Sequence, residues 1–244
     1  MPATYPVRVP EPTVIAVDWS GARRPRGIWL AAVRDGALVE SRPCPTRENA
    51  IAFVAAADPP VIAGFDFSFS VPAWFAAELG CTTVDDVWDC AAKHGDTWLA
   101  PAPPFWRDRN IVAPDRRFRR CERRFPSAKS IFQLVGNGQV GAGSVRGMPL
   151  LRDLRAAGFA IWPFDAPAAR TAFEVYPRAL RPLAPACGPF ATNDERDAVC
   201  AALVMWAGRA SVAALSAASN PITCIEGDVW MPPPASTASP SGGR

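Results

Sequence analysis

Two aspartates close two apolar runs. Val14-Ile15-Ala16-Val17 ends in Asp18 and leads into Trp19-Ser20-Gly21-Ala22, while Val61-Ile62-Ala63-Gly64-Phe65 ends in Asp66. Short runs of this kind read as buried strands. A carboxylate at the mouth of such a strand is costly unless something compensates it. Two of them delivered the same way suggest one shared site, and a cation suits converging carboxylates. Hard oxygen ligands without imidazole or thiolate fit Mg²⁺ or Mn²⁺ better than zinc.

Two further acids qualify. Asp197 shares a helical stripe with Ala201 and Val204, which turns it toward a sheet rather than water. Its neighbours Asp194 and Glu195 are covered by the ordinary preference of acids for a helix's first turn. Glu174 sits between Phe173 and Val175, and alternation puts it on the face opposite to both. It either joins the acids or pairs with Arg178 or another arginine.

Other motifs carry weaker chemistry. His94 is the single histidine, so Ser-His-Asp and Cys-His catalysis would have to run through it, and multi-histidine metal sites are excluded. It reads as an ordinary exposed histidine in a loop after a short helix. The arginines at 116, 117, 119, 120, 123 and 124 could follow a nucleic-acid backbone, but at helical spacing they read more simply as a solvated face. The run from Gly136 to Gly147 fits neither the Walker nor the dinucleotide fingerprint. It reads as a mobile loop in which Ser144 and Arg146 are candidate phosphate contacts. Trp74, Trp88, Trp98, Trp106 and Trp162 read as packing rather than base-stacking platforms.

The elements that must position these residues follow from the pattern. Strands are predicted over 13–18, 27–33 and 37–42, the last two joined at the hairpin turn Asp35-Gly36. A helix capped by Thr46 spans about 47–57, and a fourth strand spans 61–66. The crossover helix lets the fourth strand lie parallel to the first, so Asp18 and Asp66 end side by side. Residues of about 70–170 form an insertion with helices near 72–79, 83–93, 115–124 and 146–157. A fifth strand covers 171–176. A long helix covers 193–215 and starts at a Thr192/Glu195 capping box. The expected fold is α/β, a mixed five-stranded sheet flanked by helices, within a single domain of residues 13–231. The proline-rich residues 1–12 and the stretch 232–244 read as flexible tails.

Bulk properties narrow the function classes. The chain has 244 residues, is 49% hydrophobic and carries a net charge of +3; it can bury a large core, and the charge alone gives no strong case for nucleic acid. Of 26 basic residues only Lys93 and Lys129 are lysines. The 7 cysteines include no C-x-x-C pair, which argues against a zinc site or disulfide framework. No 18-residue apolar stretch or leader is present, so a cytoplasmic protein with no membrane partner is expected.

In order and spacing, the first-strand Asp, the hairpin, the helix, the fourth-strand Asp and the Asp of the last helix resemble the ribonuclease H-like superfamily. More narrowly, Val-Ile-Ala-Val-Asp18-Trp-Ser-Gly-Ala, Phe-Glu174-Val-Tyr-Pro-Arg178, Asn-Asp194-Glu-Arg-Asp197-Ala-Val-Cys-Ala-Ala and Ile225-Glu226-Gly227 resemble domain of unknown function 429, a family described as predicted nucleases. The resemblance implies a divalent-metal-dependent nuclease. Asp18, Asp66 and Asp197 would hold Mg²⁺ or Mn²⁺, two ions roughly 3.5–4 Å apart, with Glu174 among the catalytic acids and Ser20, Arg146 and Arg178 toward a nucleic-acid substrate. A ribonuclease H proper carries a further Glu on the sheet-facing side of its first helix; Glu48 lies in that helix but near its start, and the role is not carried over to it. Two alternatives use the same residues. An actin- or sugar-kinase-like phosphotransferase or ATPase would cradle a phosphate at Ser20-Gly21, and a non-catalytic module would use the fold for binding alone.

Overall fold

A computed structural model gives the structure of residues 10–24, 27–107, 112–136 and 140–234. The expected tails fall largely outside them, at 1–9 and 235–244, as do 137–139 of the glycine-rich run.

The β-branched first run forms β1, Thr13–Asp18, buried at every position. β2 (Trp29–Arg34) and β3 (Ala37–Pro43) follow as antiparallel neighbours. Asp35 and Gly36 take φ of 50° and 80° at the hairpin, where Gly36 carries no steric penalty. The helix α1, Arg47–Ala56, begins where the Thr46 side chain accepts a hydrogen bond from the Asn49 amide. It returns the chain to β4, Val61–Phe65, parallel to β1. Four helices come next: α2 (Ala73–Glu78), α3 (Val84–Leu99), α4 (Val140–Gly147) and α5 (Leu150–Ala156). β5 (Ala160–Trp162) and β6 (Arg170–Glu174) complete the sheet, followed by α6 (Pro177–Leu180), α7 (Asn193–Val212) and α8 (Pro221–Glu226).

The result is α/β: a six-stranded mixed sheet in the order β3-β2-β1-β4-β6-β5, flanked by helices. The expectation of five strands misses β5, which is only three residues long and too short to show a period. No helix among the described residues is long and apolar enough to cross a membrane.

Strand alternation sorts the core into two layers. Ile15, Val17, Ala63, Phe65 and Ala172 pack on one face beneath the insertion helices. Val14, Ala16, Ile62, Phe173 and Val175 pack on the other, against Ala198, Ala201, Ala202 and Met205 of α7. Gly64 lets α7 approach: a Cβ there would lie 2.6 Å from Met205 Sδ and 2.9 Å from Val175 Cγ1.

Two local expectations are corrected here. The glycine-rich run is no mobile loop from Val140 onward but α4. Its glycines serve contact, since a Cβ at Gly141 would lie 2.2 Å from the Ile131 carbonyl oxygen. The arginine-rich segment is not one helix but two 3-10 turns, Pro114–Arg116 and Glu122–Arg124. Its arginines do not form one solvated face, because Arg119 is 0% exposed.

Candidate functional site

β1 and β4 run in parallel with Val17 opposite Phe65, and the Asp66 amide donates to the Val17 carbonyl at 3.1 Å. Asp18 and Asp66 are therefore the next pair beyond the ladder, with Cα atoms about one strand spacing of 4.8 Å apart. Asp18 alternates with Val14 and Ala16, and Asp66 with Ile62 and Gly64. Both project to the face covered by α7. Asp18 is buried and Asp66 half-buried. Among the described residues neither carboxylate has a hydrogen bond or ion pair.

The start of α7 is moored over this sheet edge. Thr192 caps it by accepting from the Glu195 amide at 3.0 Å. Glu195 reaches back to the Ala191 amide at 2.7 Å, one residue short of the expected reciprocal box, and also accepts from Ser41 Oγ at 3.4 Å. Ser41 Oγ in turn accepts from Trp29 Nε1 at 3.0 Å, and Trp29 stands opposite Asp18 in the ladder. Asp197 then faces the same layer as the two strand acids. Its carboxylate is clamped by Arg181, with Nε 2.6 Å from Oδ1 and Nη2 donating to Oδ2 at 2.8 Å. Asp194 lies one turn earlier, against Gly27, where an added Cβ would come within 2.5 Å of its Oδ2.

The electrostatics report this crowding. Burial first, then the negative charges of Asp66, Asp197 and Asp194, push the Asp18 carboxyl up to about 10, with Arg181 pulling the other way. Asp66 is raised to about 8 by burial and then by Asp197 and Glu174, again against Arg181. Asp197 is raised by burial, partly offset by Arg181 and Arg196. Two neighbouring carboxyls without donors hold a proton or a cation far more readily than two open charges.

No family model, curated protein or solved structure matches this chain.

Glu174 does not join the acids. Its register partner is Phe65, so its side chain lies on the opposite face of the sheet from Asp18 and Asp66. It pairs there with Arg119, whose Nη2 and Nη1 donate at 2.5 and 2.8 Å, and it accepts the Phe69 amide at 3.0 Å. Arg119 Nε donates to Glu122 at 2.8 Å, Nη1 also to the Glu226 carbonyl at 3.0 Å, and Nη2 also to Ser68 Oγ at 3.1 Å. All five guanidinium donors are thereby used. This knot ties the 3-10 segment, the turn after β4, β6 and α8 together, a structural duty that explains both the buried arginine and the buried glutamate.

The expected substrate contacts are mostly engaged locally. Ser20 Oγ accepts from the Ala22 amide at 3.3 Å. Ser144, expected as a phosphate contact, is fully buried and accepts from the Ser68 amide at 2.8 Å. Arg146 donates to the Gly21 carbonyl. Arg178 is exposed on α6, with no hydrogen bond or ion pair among the described residues, while Arg181 one turn later makes the acid contact. His94 lies inside α3 and is half-buried, not in a loop after it. The tryptophans pack: Trp88, Trp98 and Trp106 are buried.

Sequence reasoning missed Asp194 and Arg181. Asp194 precedes Asp197 by one helical turn, a spacing that puts both on one face. The helix-dipole reading masked it. Arg181 follows Arg178 at the same spacing; sequence reasoning names Arg178 and passes over Arg181, which is the one that meets Asp197. Among the described residues no three carboxylate, thiol or imidazole groups stand close enough to cage a metal ion by themselves.

Proposed function

We propose that this chain is a divalent-metal-dependent phosphodiesterase of ribonuclease H-like type, acting on nucleic acid with Mg²⁺ or Mn²⁺. The observation that carries the reading is the pair Asp18 and Asp66. They stand at the ends of adjacent parallel strands, turned to one face, with no hydrogen bond or ion pair to either among the described residues and Arg181 acting on both only from a distance.

The donor set suits such a cation. Mg²⁺ commonly takes only one or two protein carboxylates and completes its octahedron with waters and substrate phosphate oxygens. Asp18 and Asp66 supply a set of that size, so a closed cage of three protein groups is not required. When bound, the cation would polarise the phosphate and lower the pKa of a bound water. Asp197 remains on Arg181 and holds that guanidinium beside the acid pair, where its positive charge faces an approaching phosphate. α7 covers the site on the sheet side and keeps its dielectric low, which strengthens every charge interaction there. Glu174 acts on the other face, by holding Arg119 and the turn after Asp66.

The test is a cleavage panel of single-stranded, duplex, hybrid and branched nucleic acids with Mg²⁺ and with Mn²⁺. Asp18→Asn and Asp66→Asn abolish cleavage while the circular dichroism spectrum and melting transition persist. Cleavage by either variant at the parent's rate rejects the assignment.

A further inference from the structure

A second charged feature stands at the turn that leaves Asp18, on helices that pack against the other face of the sheet, and is built the opposite way. Arg47 opens α1 and is 6% exposed. Its Nε and Nη2 donate to the Ser20 carbonyl at 2.9 and 2.6 Å, and Nη2 also donates to the Ala22 carbonyl at 2.5 Å. Arg146, half-buried near the end of α4, donates through Nη1 to the Gly21 carbonyl. Two arginines from distant elements thus converge on three successive carbonyls of the turn that leaves Asp18.

Neither has a carboxylate within ion-pair distance among the described residues, which sets them apart from Arg119. Glu48 is the acid that acts on Arg47, and Asp96 the one that acts on Arg146. Burial lowers both guanidinium pKa values, and repulsion adds to it, from Arg146 on Arg47 and from Arg23 on Arg146. Each guanidinium carries five N–H donors. Arg47 Nη1 and Arg146 Nε and Nη2 make no hydrogen bond among the described residues, and none of these atoms is sealed from solvent. The exposed Arg23 continues the same turn.

Two positive groups that have no carboxylate within ion-pair distance among the described residues, retain free planar donors and stand at the turn after Asp18 have one economical partner. We propose that Arg47 and Arg146, with Arg23 at the rim, form an anion subsite at the turn leaving Asp18 that holds another phosphate of the nucleic-acid strand bound at the acid pair. This deepens the phosphodiesterase reading and rests on it. The acids serve a cation at the phosphate to be cleaved, and the arginines take another phosphate of the same strand through fork geometry. Carbonyls of the turn fix both forks in advance, so little side-chain entropy is lost on binding.

Binding is read without metal, which separates the subsite from the cleavage chemistry. Short labelled single-stranded DNA and RNA are titrated in EDTA across a salt series, with wild type, Arg146→Gln, Arg146→Lys, Arg23→Gln and Asp18→Asn. Arg146→Gln weakens binding at least fivefold and lowers the salt slope by about one. Arg146→Lys keeps the charge and so the wild-type salt slope but loses the fork, and its affinity falls between wild type and Arg146→Gln; a purely structural role at Gly21 would move melting temperature and not the salt slope. Asp18→Asn binds at least as tightly as wild type although it does not cleave. Should Arg146→Gln melt well below wild type, Arg23→Gln carries the test, with about twofold weaker binding and a shallower slope. Wild-type affinity and slope in the arginine variants overturn the subsite. Cleavage by Asp18→Asn with the arginine effects intact would instead overturn the metal-site reading and leave the subsite standing.

Discussion

Replacing Asp66 with Asn makes the metal-free protein more stable, not less. In the folded chain this carboxyl titrates at about 8, against an ordinary value of 3.8. At pH 7 the folded state therefore holds a proton that the unfolded chain releases. About three pH units separate 3.8 from 7, and each is worth about 1.4 kcal/mol, so the burden approaches about 4 kcal/mol. Partial exposure and local relaxation reduce it, which leaves a gain on the order of 2–4 kcal/mol for Asp66→Asn in EDTA. The sign with pH follows from the raised value. The stability is fully present below about pH 4, falls as the pH climbs, and is lost by about pH 8. Asp66→Asn removes one proton from that slope. Urea denaturation at several pH values between 5 and 8 reads both effects. A variant that is equally or less stable than wild type across this range, or one with an unchanged slope, refutes the idea that Asp66 is uncompensated.

Mg²⁺ or Mn²⁺ raises the melting temperature of wild type by several degrees when in large excess over its Kd, about 2.7 kcal/mol at a hundredfold excess. The shift grows from pH 6 to pH 8 as the proton leaves Asp66, and it vanishes in Asp18→Asn; differential scanning fluorimetry measures it. Arg119→Met leaves Glu174 and Glu122 buried without their cation and costs about 3–5 kcal/mol in urea. Gly64→Ala drives a methyl into Met205 and costs about 1–3 kcal/mol, with loss of any metal-induced stabilisation if α7 shifts. Cys187 is exposed and its sulfur lies 3.8 Å from Cys200. A thiol oxidant such as diamide closes that pair, seen as two lost free thiols and a 187–200 cross-linked peptide, and Cys187→Ser blocks it.

Much of the sheet was legible because its strands carry strong local signals. Asp35-Gly36 fixed the hairpin, and the crossover helix forced β4 alongside β1, so the adjacency of Asp18 and Asp66 followed from connection rules rather than from any motif. Asp197 was legible from its stripe with Ala201 and Val204. Pairing between distant segments was not legible. Nothing local to Arg119 distinguishes it from its five neighbouring arginines; its partners lie at 68, 122, 174 and 226, and only the folded chain brings them together. The same holds for α4, whose glycines weaken any helical signal but are needed where Ile131 and Gln133 press against the helix. Arg47 showed no sign of its role either, because the carbonyls that hold it belong to a turn 25 or more residues earlier.

Met205 keyed against Gly64 has a bearing on when the acids acquire their chemistry. During synthesis, strands bearing residues 18 and 66 leave the ribosome more than a hundred residues before α7 does. Until that helix docks, both carboxylates face water and ionise in the ordinary way. A product ending before Asn193 would carry the two aspartates without the helix that buries them. The paired carboxylates thus take on their raised pKa values only once α7 has folded over them.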